Sequence, residues 1–359
     1  MASRRLPARR RGAAGAGVGR WACGTACRAG GGRAETAWPR GRGGGPVVRG
    51  DLERLYAWDI DAQDLVGLRR LLRQRPDYPA AARRLAANML ADAEADPALG
   101  GLLRDAGRTV AALSAVCLGA SGGLTLAGLK GFLAGFGLVS AGRARALLSL
   151  MLHLRYVRAD AGGAGAPRTY SLTPAFLASY ARHEASLMDA VAVVEPAARV
   201  LAQGLTRGPA APEVLRTLAG EQGRAFVAGG GEARDFEAWY RIFMHRLAGI
   251  QVLHALVAGA DSFPPAGPIA ATATGLARRF AVSRVHVARM LRDAADHGFV
   301  VCEPGAVTFT DAGRAALDWL YASRLAVHLA CAARTLKAHP ALAGADDQKC
   351  SVPGRSGRA

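Results

Sequence analysis

The sequence predicts a mainly α-helical protein in which one order of elements, helix, turn, helix, hairpin, helix, occurs twice. Three observations carry this expectation. Leu, Ala, Val and Met recur at three- and four-residue steps over most of residues 51–338. Two serine-led helical segments, starting at Ser140 and Ser283, each follow a helical piece and a turn. Each then runs into a short extended stretch that ends on a threonine, Thr173 or Thr310, at the start of another helix.

Taken in order, residues 1–50 are Gly, Ala, Arg and Pro with almost no periodicity, the composition of a disordered tail. Residues 51–105 read as N-terminal helices, through "DLERLYAWDIDAQDLVGLRRLLRQ" and "YPAAARRLAANMLADAEA". Pro97 restarts a helix that the pattern carries on to Ser121-Gly122-Gly123. Residues 106–182 hold the first copy of the repeated order, and residues 183–233 a helical linker that includes "EASLMDAVAVVEPAARVLAQGL". Residues 234–338 hold the second copy, opened by one long amphipathic helix, "DFEAWYRIFMHRLAGIQVLHALVAG". Residues 339–359 form a short disordered tail.

The second copy shows why its residue types belong in these positions. Ser283 can cap a helix by accepting a free backbone N–H of the first turn. Val287, Leu291 and Ala294 fall on one face, the buried one. Gly298 can take the left-handed conformation that stops a helix. Phe299, Val300 and Val301 begin a strand, Pro304-Gly305 turns it, and "AVTF" returns. In the first copy Ser140 caps, Ala144, Leu148 and Met151 face inward, and Tyr156 and Val157 open the strand. Its hairpin is longer, through "ADAGGAGAP", and Thr173-Pro174 starts the next helix. This is the pattern of two winged helix-turn-helix domains in tandem, with small β-hairpin wings and long helices joining them.

The formal net charge of the 359 residues is +18, which points to a polyanionic partner. Arginine supplies nearly all of it, in an Ala- and Gly-rich chain of the kind a GC-rich coding sequence produces. Residues 1–50 hold eleven Arg against one Glu, so +10 of the +18 belongs to the tail. The outer face of the second serine-led helix is the more pointed signal. It carries Ser283, Arg284, His286, Arg289 and Arg292, with Asp293 and Asp296 at its far end. Arginine can bond guanine bidentately in the major groove, and a helix N-terminus can hold a phosphate. The corresponding face of the first copy offers Ser140, Arg143 and Arg145 and is less charged. Arginine on a helix's outer face is also commonly a plain solvated face; the joint occurrence with turn, cap, stop and hairpin favours the DNA-binding expectation.

"LARRFAVSRVHVARMLRDAADHGFVV", the tight turn "CEPGAV" and "TFTDAGRAALDWLYA" together resemble the MarR-type winged helix-turn-helix regulators of bacteria. The resemblance covers about 70 residues well and the upstream copy poorly. It implies a serine-led helix in the major groove, with Ser283, Arg284, His286 and Arg289 at the bases. It also implies a wing reaching the minor groove or backbone, near Glu303 to Gly305. Glu303 is acidic there, whereas Arg158 and Arg168 flank the first copy's hairpin and are the better wing contacts. Family members usually carry one copy and pair as homodimers. Two copies in one chain imply a pseudo-dimer reading two unequal half-sites, roughly 34–36 Å apart, or a chain that dimerises again.

The leading expectation is therefore a cytoplasmic, nucleoid-associated transcriptional regulator that binds specific double-stranded DNA. The alternative is a winged-helix module that binds other proteins and has no DNA specificity. A small-molecule effector is a further partner to consider. The tail fits equally a nonspecific grip on the DNA backbone and an upstream extension. An enzyme is not expected: the eight His are dispersed, and both H-E-x-x-H and a phosphate-binding G-x-x-x-x-G-K-[ST] loop are missing from the sequence. No cofactor or metal is expected either. Cys23 and Cys27 form a C-x3-C without a second pair at zinc spacing, and the six cysteines read as unpaired thiols. No apolar run approaches the length of a membrane span, and no apolar stretch follows the basic N-terminus as in a secretory signal. Trp239, Tyr240, Phe243 and His245 sit close together on one helix, a pattern that is more often core than ligand site.

Overall fold

Leucine and alanine at helical spacing fold the first described residues into two neighbouring helices, α1 (Leu65–Gln74) and α2 (Tyr78–Ala95). The computed structural model describes residues 65–120, 123–135, 140–161, 167–229 and 236–344. The expected tail at 1–50, the helical reading of 51–64 and most of the C-terminal tail lie outside these residues. The fold is mainly α with two small three-stranded antiparallel sheets.

The helix expected to run on from Pro97 is in fact two. Helix α3 (Pro97–Leu102) starts on Asp96, whose side chain accepts the Leu99 N–H, and α4 (Ala106–Ala120) follows after a break. The break has a cause in Asp105. Its carboxylate accepts the Arg108 N–H at 3.0 Å and so caps α4. The periodicity continues across both pieces, which is why it did not reveal the interruption.

Thr125 then ends strand β1 (Leu124–Thr125) and caps α5 (Leu126–Gly135), its hydroxyl accepting the Gly128 N–H at 2.9 Å. Ser140 caps α6 (Ala141–His153), accepting the Arg143 N–H at 3.3 Å. Strands β2 (Val157–Ala159) and β3 (Thr169–Leu172) return as a hairpin, and β1 joins on the other side of β3, giving the order β1-β3-β2. Thr173 caps α7 (Pro174–Val191), which ends before Glu195-Pro196; α8 (Ala198–Thr206) follows as a separate helix and packs back on α7. The proline cannot continue the ladder, so the stretch "EASLMDAVAVVEPAARVLAQGL" of the expected helical linker is bent into a hairpin of two helices. Helix α9 (Ala211–Gly229) lies against α4.

The second half repeats the plan. The helix expected over residues 235–259 is broken into α10 (Glu237–Trp239), a π-helical turn at Tyr240–Met244, and α11 (Gly249–Ala258). Ala248 sits in the left-handed region at φ 60°, and a Cβ on Gly249 would meet the Phe243 carbonyl oxygen at 2.3 Å. That close approach explains both the break and the glycine. Strand β4 (Ile269–Ala270) precedes α12 (Ala273–Arg279), capped by Thr272, and α13 (Arg284–Asp296), capped by Ser283. Gly298, at φ 71°, ends α13 as its composition required. Strands β5 (Val300–Glu303) and β6 (Ala306–Phe309) turn at Gly305, φ 81°, and the order is β4-β6-β5. Thr310 caps α14 (Asp311–Ala338), and α15 (Ala341–Gly344) closes the described chain.

Helix α14 is the spine. It packs on α1, α7 and α9, while α2 packs on α7 and α11. The segments read as N-terminal helices, first copy, linker and second copy therefore share one interleaved core. No helix among the described residues is long and apolar enough to cross a membrane. Among the described residues Cys302 and Cys331 are free thiols, Cys117 Sγ donates to the Ala219 carbonyl oxygen at 3.1 Å, and Cys23, Cys27 and Cys350 lie outside the described residues.

Candidate functional site

Helix α13 is held on two sides and open on a third. Val287, Met290, Leu291 and Ala294 are buried and anchor it to the core. The flanking stripe is tied to the loop after the π turn. His286 Nε2 lies 2.9 Å from the Leu247 carbonyl oxygen, and Arg246 donates to Asp293, which holds that carboxyl below its ordinary range. The remaining surface carries Arg284, Val285, Arg289, Arg292 and Asp296, all exposed. Among the described residues no ion pair or hydrogen bond occupies the side chains of Arg284, Arg289 or Arg292.

Its N-terminus is prepared for a polar guest. Ser283 is exposed, and its hydroxyl accepts the His286 N–H at 3.1 Å, which leaves other N–H groups of the first turn facing outward. The turn before it is braced from elsewhere in the chain: the Arg104 guanidinium donates to the Phe280 carbonyl, and the Arg104 carbonyl accepts the Ala248 N–H at 2.9 Å. Arg279 pairs with Glu94 at 2.7 Å. The expected residues thus divide. Ser283, Arg284, Arg289 and Arg292 share the open side, and His286 is turned inward as a strut.

The first copy differs in the way its composition implied. Ala144, Leu147, Leu148 and Met151 are buried, so the same face of α6 is anchored. Arg143 is not free: its Nη2 lies 2.7 Å from Asp105 Oδ1, and Arg108 pairs with the same carboxylate at 3.2 Å. Arg145 is exposed and unpaired among the described residues, as are Arg158 and Arg168 at the hairpin. Arg158 lies near Asp160, whose carboxyl is held low by Ser171 first and by Arg158 to a smaller extent. The tight second hairpin presents exposed Glu303, Pro304 and Gly305.

Arg104 and Asp105 are adjacent, and each holds one repeated unit. Arg104 grips the turn before α13, and Asp105 grips the first turn of α6. Nearby His245 is pushed below its ordinary pKa by burial and then by Arg143.

Of the aromatic group on the 239–245 segment, two members are core. Trp239 packs on Phe243 with centroids 4.7 Å apart, meets Phe299 edge-on at 5.2 Å, and lies 6.3 Å from Phe309. Trp239 and Phe243 are buried and seat the second hairpin; Tyr240 and His245 line an internal cavity instead. Val285 is the residue that sequence reasoning missed. At 64% exposure it is the most open large hydrophobic side chain among the described residues, and it sits one turn from Arg289 on the open stripe. A valine at a surface helical position beside a serine cap was the available signal.

Comparison with known protein families, with curated proteins and with solved structures finds no match to this chain.

Proposed function

We propose that the chain is a sequence-specific double-stranded DNA-binding transcriptional regulator of the cytoplasm, built as two winged helices in tandem, with α13 as its reading helix. The observation that carries this reading is the open face of α13. Among the described residues three arginines stand there without ion pairs, around an exposed valine, on a helix fixed along its other sides. Free, positioned guanidinium groups suit guanine edges and phosphates, and an exposed aliphatic side chain suits the thymine methyl. The Ser283-capped N-terminus adds backbone N–H groups for a phosphate. No catalytic residue, cofactor or metal takes part.

The two copies play unequal parts in this reading. Arg143 is spent on Asp105, and the N-terminal turns of α6 and α13 are held on either side of one dipeptide, Arg104–Asp105. That proximity favours one reading helix per chain over two helices set roughly 34–36 Å apart. Arg145, Arg158 and Arg168 remain as backbone contacts beside it.

The test is binding to a duplex selected from random sequence. Changing Arg284 or Arg289 to Ala should each cost about 1–3 kcal/mol on that site. If neither change alters binding, α13 is not the reading helix. A second reading, a winged-helix module for protein partners, draws on the sparse charge of α6 and the acidic Glu303 turn. It wins if wild-type chain and the α13 arginine variants hold duplex DNA equally at low salt.

A further inference from the structure

The interior of the helical body encloses a cavity of about 720 Å³, walled by α1, α2, α4, α7, α11, α14 and the π turn. That size falls within the range of small-molecule sites. Its walls are chiefly apolar, with Met89, Val110, Leu113, Leu187 and Leu320 among them. The exposed lining residues Glu237, Arg241 and His245 mark where it reaches the surface.

One cation inside this apolar space lacks a counter-charge. Arg324, on α14, is deeply surrounded by protein yet keeps accessible surface, which opens on the cavity. Its Nη1 lies 3.3 Å from His254 Nε2, and no carboxylate lies within ion-pair distance of it among the described residues. The histidine is no substitute for an anion. Arginine only donates, so Nε2 must accept, and the Nδ1 hydrogen is then given to the Tyr321 hydroxyl oxygen at 2.6 Å. His254 is thus a neutral relay, consistent with the strong downward push that burial exerts on it. Glu184, the acid that bears on Arg324 through space, is already engaged. Gln222 Nε2 donates to it at 2.6 Å, and burial raises its pKa. His328, beneath Arg324, uses Nδ1 on the Arg324 carbonyl at 2.9 Å. A guanidinium with open donors in a low-dielectric space strongly favours an anion, and a planar carboxylate matches its fork.

We infer that this cavity is a binding site for a small organic carboxylate with an apolar body, the carboxylate held by Arg324 and the body by the leucines and methionine of the walls. The inference is independent of DNA binding. It concerns a different part of the molecule, and its test contains no DNA.

The full chain is titrated by calorimetry, and its melting followed, with a panel of short- to medium-chain alkanoates and arylalkanoates, each beside its own primary amide. At least one acid should bind and raise the melting temperature, and should be preferred over its amide by at least about tenfold, the scale of one charge-assisted contact. Arg324→Gln should abolish that preference while leaving the amide's affinity in place. Val327→Phe, which projects bulk into the cavity and leaves every charge intact, should weaken acid and amide alike. The proposal is overturned if no acid binds, if acid and amide bind equally, or if Val327→Phe binds both as the wild type does. Should Arg324→Gln fail to fold, the acid-to-amide ratio in the wild-type chain and the Val327→Phe variant still decide.

Discussion

Asp105→Ala is the substitution whose cost follows most directly from the structure. Asp105 is 3% exposed, and its carboxylate does three things. It accepts the Arg108 N–H at 3.0 Å, pairs with the Arg108 side chain at 3.2 Å, and pairs with Arg143 at 2.7 Å. Losing a helix cap costs about 1 kcal/mol. The two arginine side chains are 28% and 42% exposed. Water can therefore re-solvate both, and each pair contributes about 0.5–1 kcal/mol rather than the value of a fully buried one. The sum is about 2–3 kcal/mol, or roughly a 3–5 °C fall in melting temperature for a chain of this size. Asp105→Asn keeps a cap acceptor and loses the charge, so it should recover about 1 kcal/mol of that loss. Denaturant unfolding of the three proteins, with unchanged slope, measures both differences. The reasoning fails if the Ala variant loses less than about 0.5 kcal/mol, the level of an ordinary surface change, or if Asn is as costly as Ala.

Other outcomes follow from the same geometry. Burial and then Arg324 push His328 down to about 3, so the folded chain keeps it neutral while the unfolded chain protonates it below the ordinary value of 6.5. Within that window the unfolded state binds more protons, and stability should fall as pH falls, by up to about 1.4 kcal/mol per pH unit for this residue; His328→Gln should flatten the slope in denaturant titrations from pH 7.5 to pH 4.5. At Gly313 a Cβ would come to 1.9 Å from the Phe299 carbonyl oxygen, so Gly313→Ala should cost on the order of 3 kcal/mol in chemical unfolding; near-neutral stability would mean that the start of α14 does not press on the second hairpin. Val285→Asp should leave melting within about 0.5 kcal/mol of wild type and still weaken duplex binding by roughly tenfold or more in a gel-shift titration, because it sets an anion among three guanidinium groups; unchanged DNA affinity would remove Val285 from the interface.

Much of the local framework could be read from residue types. Ser140, Ser283, Thr173 and Thr310 announce helix starts because their oxygens compete for orphan N–H groups, and all four cap helices. Gly298 and Gly305 announce positive φ, and both have it. Strands β1 and β4 went unread because two residues show no alternation; only their pairing with Tyr170 and Thr169, or Val307 and Ala306, makes them strands. The breaks at Asp105 and Ala248 were hidden for a related reason. Apolar periodicity persists through them, and their causes, a carboxylate shared by two arginines and a carbonyl pressed on Gly249, are tertiary. Within the candidate site, sequence spacing placed Arg289 and Arg292 outward but could not separate His286 from them. The inward turn of His286 depends on Leu247, 39 residues away. Arg143 was drawn to Asp105 over a similar distance in sequence, 38 residues. Arg324 gave no sign of itself, because an arginine on a long helix reads as solvated until the surrounding helices are packed around it.

The central claim is that α13 offers its free arginines to the bases of a duplex. Selection of bound fragments from a random double-stranded library, by the wild-type chain and by Arg284→Ala/Arg289→Ala/Arg292→Ala at several salt concentrations, tests it most directly. The wild type should enrich a defined motif with a steep salt dependence. The triple variant should no longer enrich that motif, and its slope should be shallower by about 1 for each phosphate that it ceases to neutralise. An unenriched wild-type pool, or a variant that returns the same motif with the same slope, would contradict it.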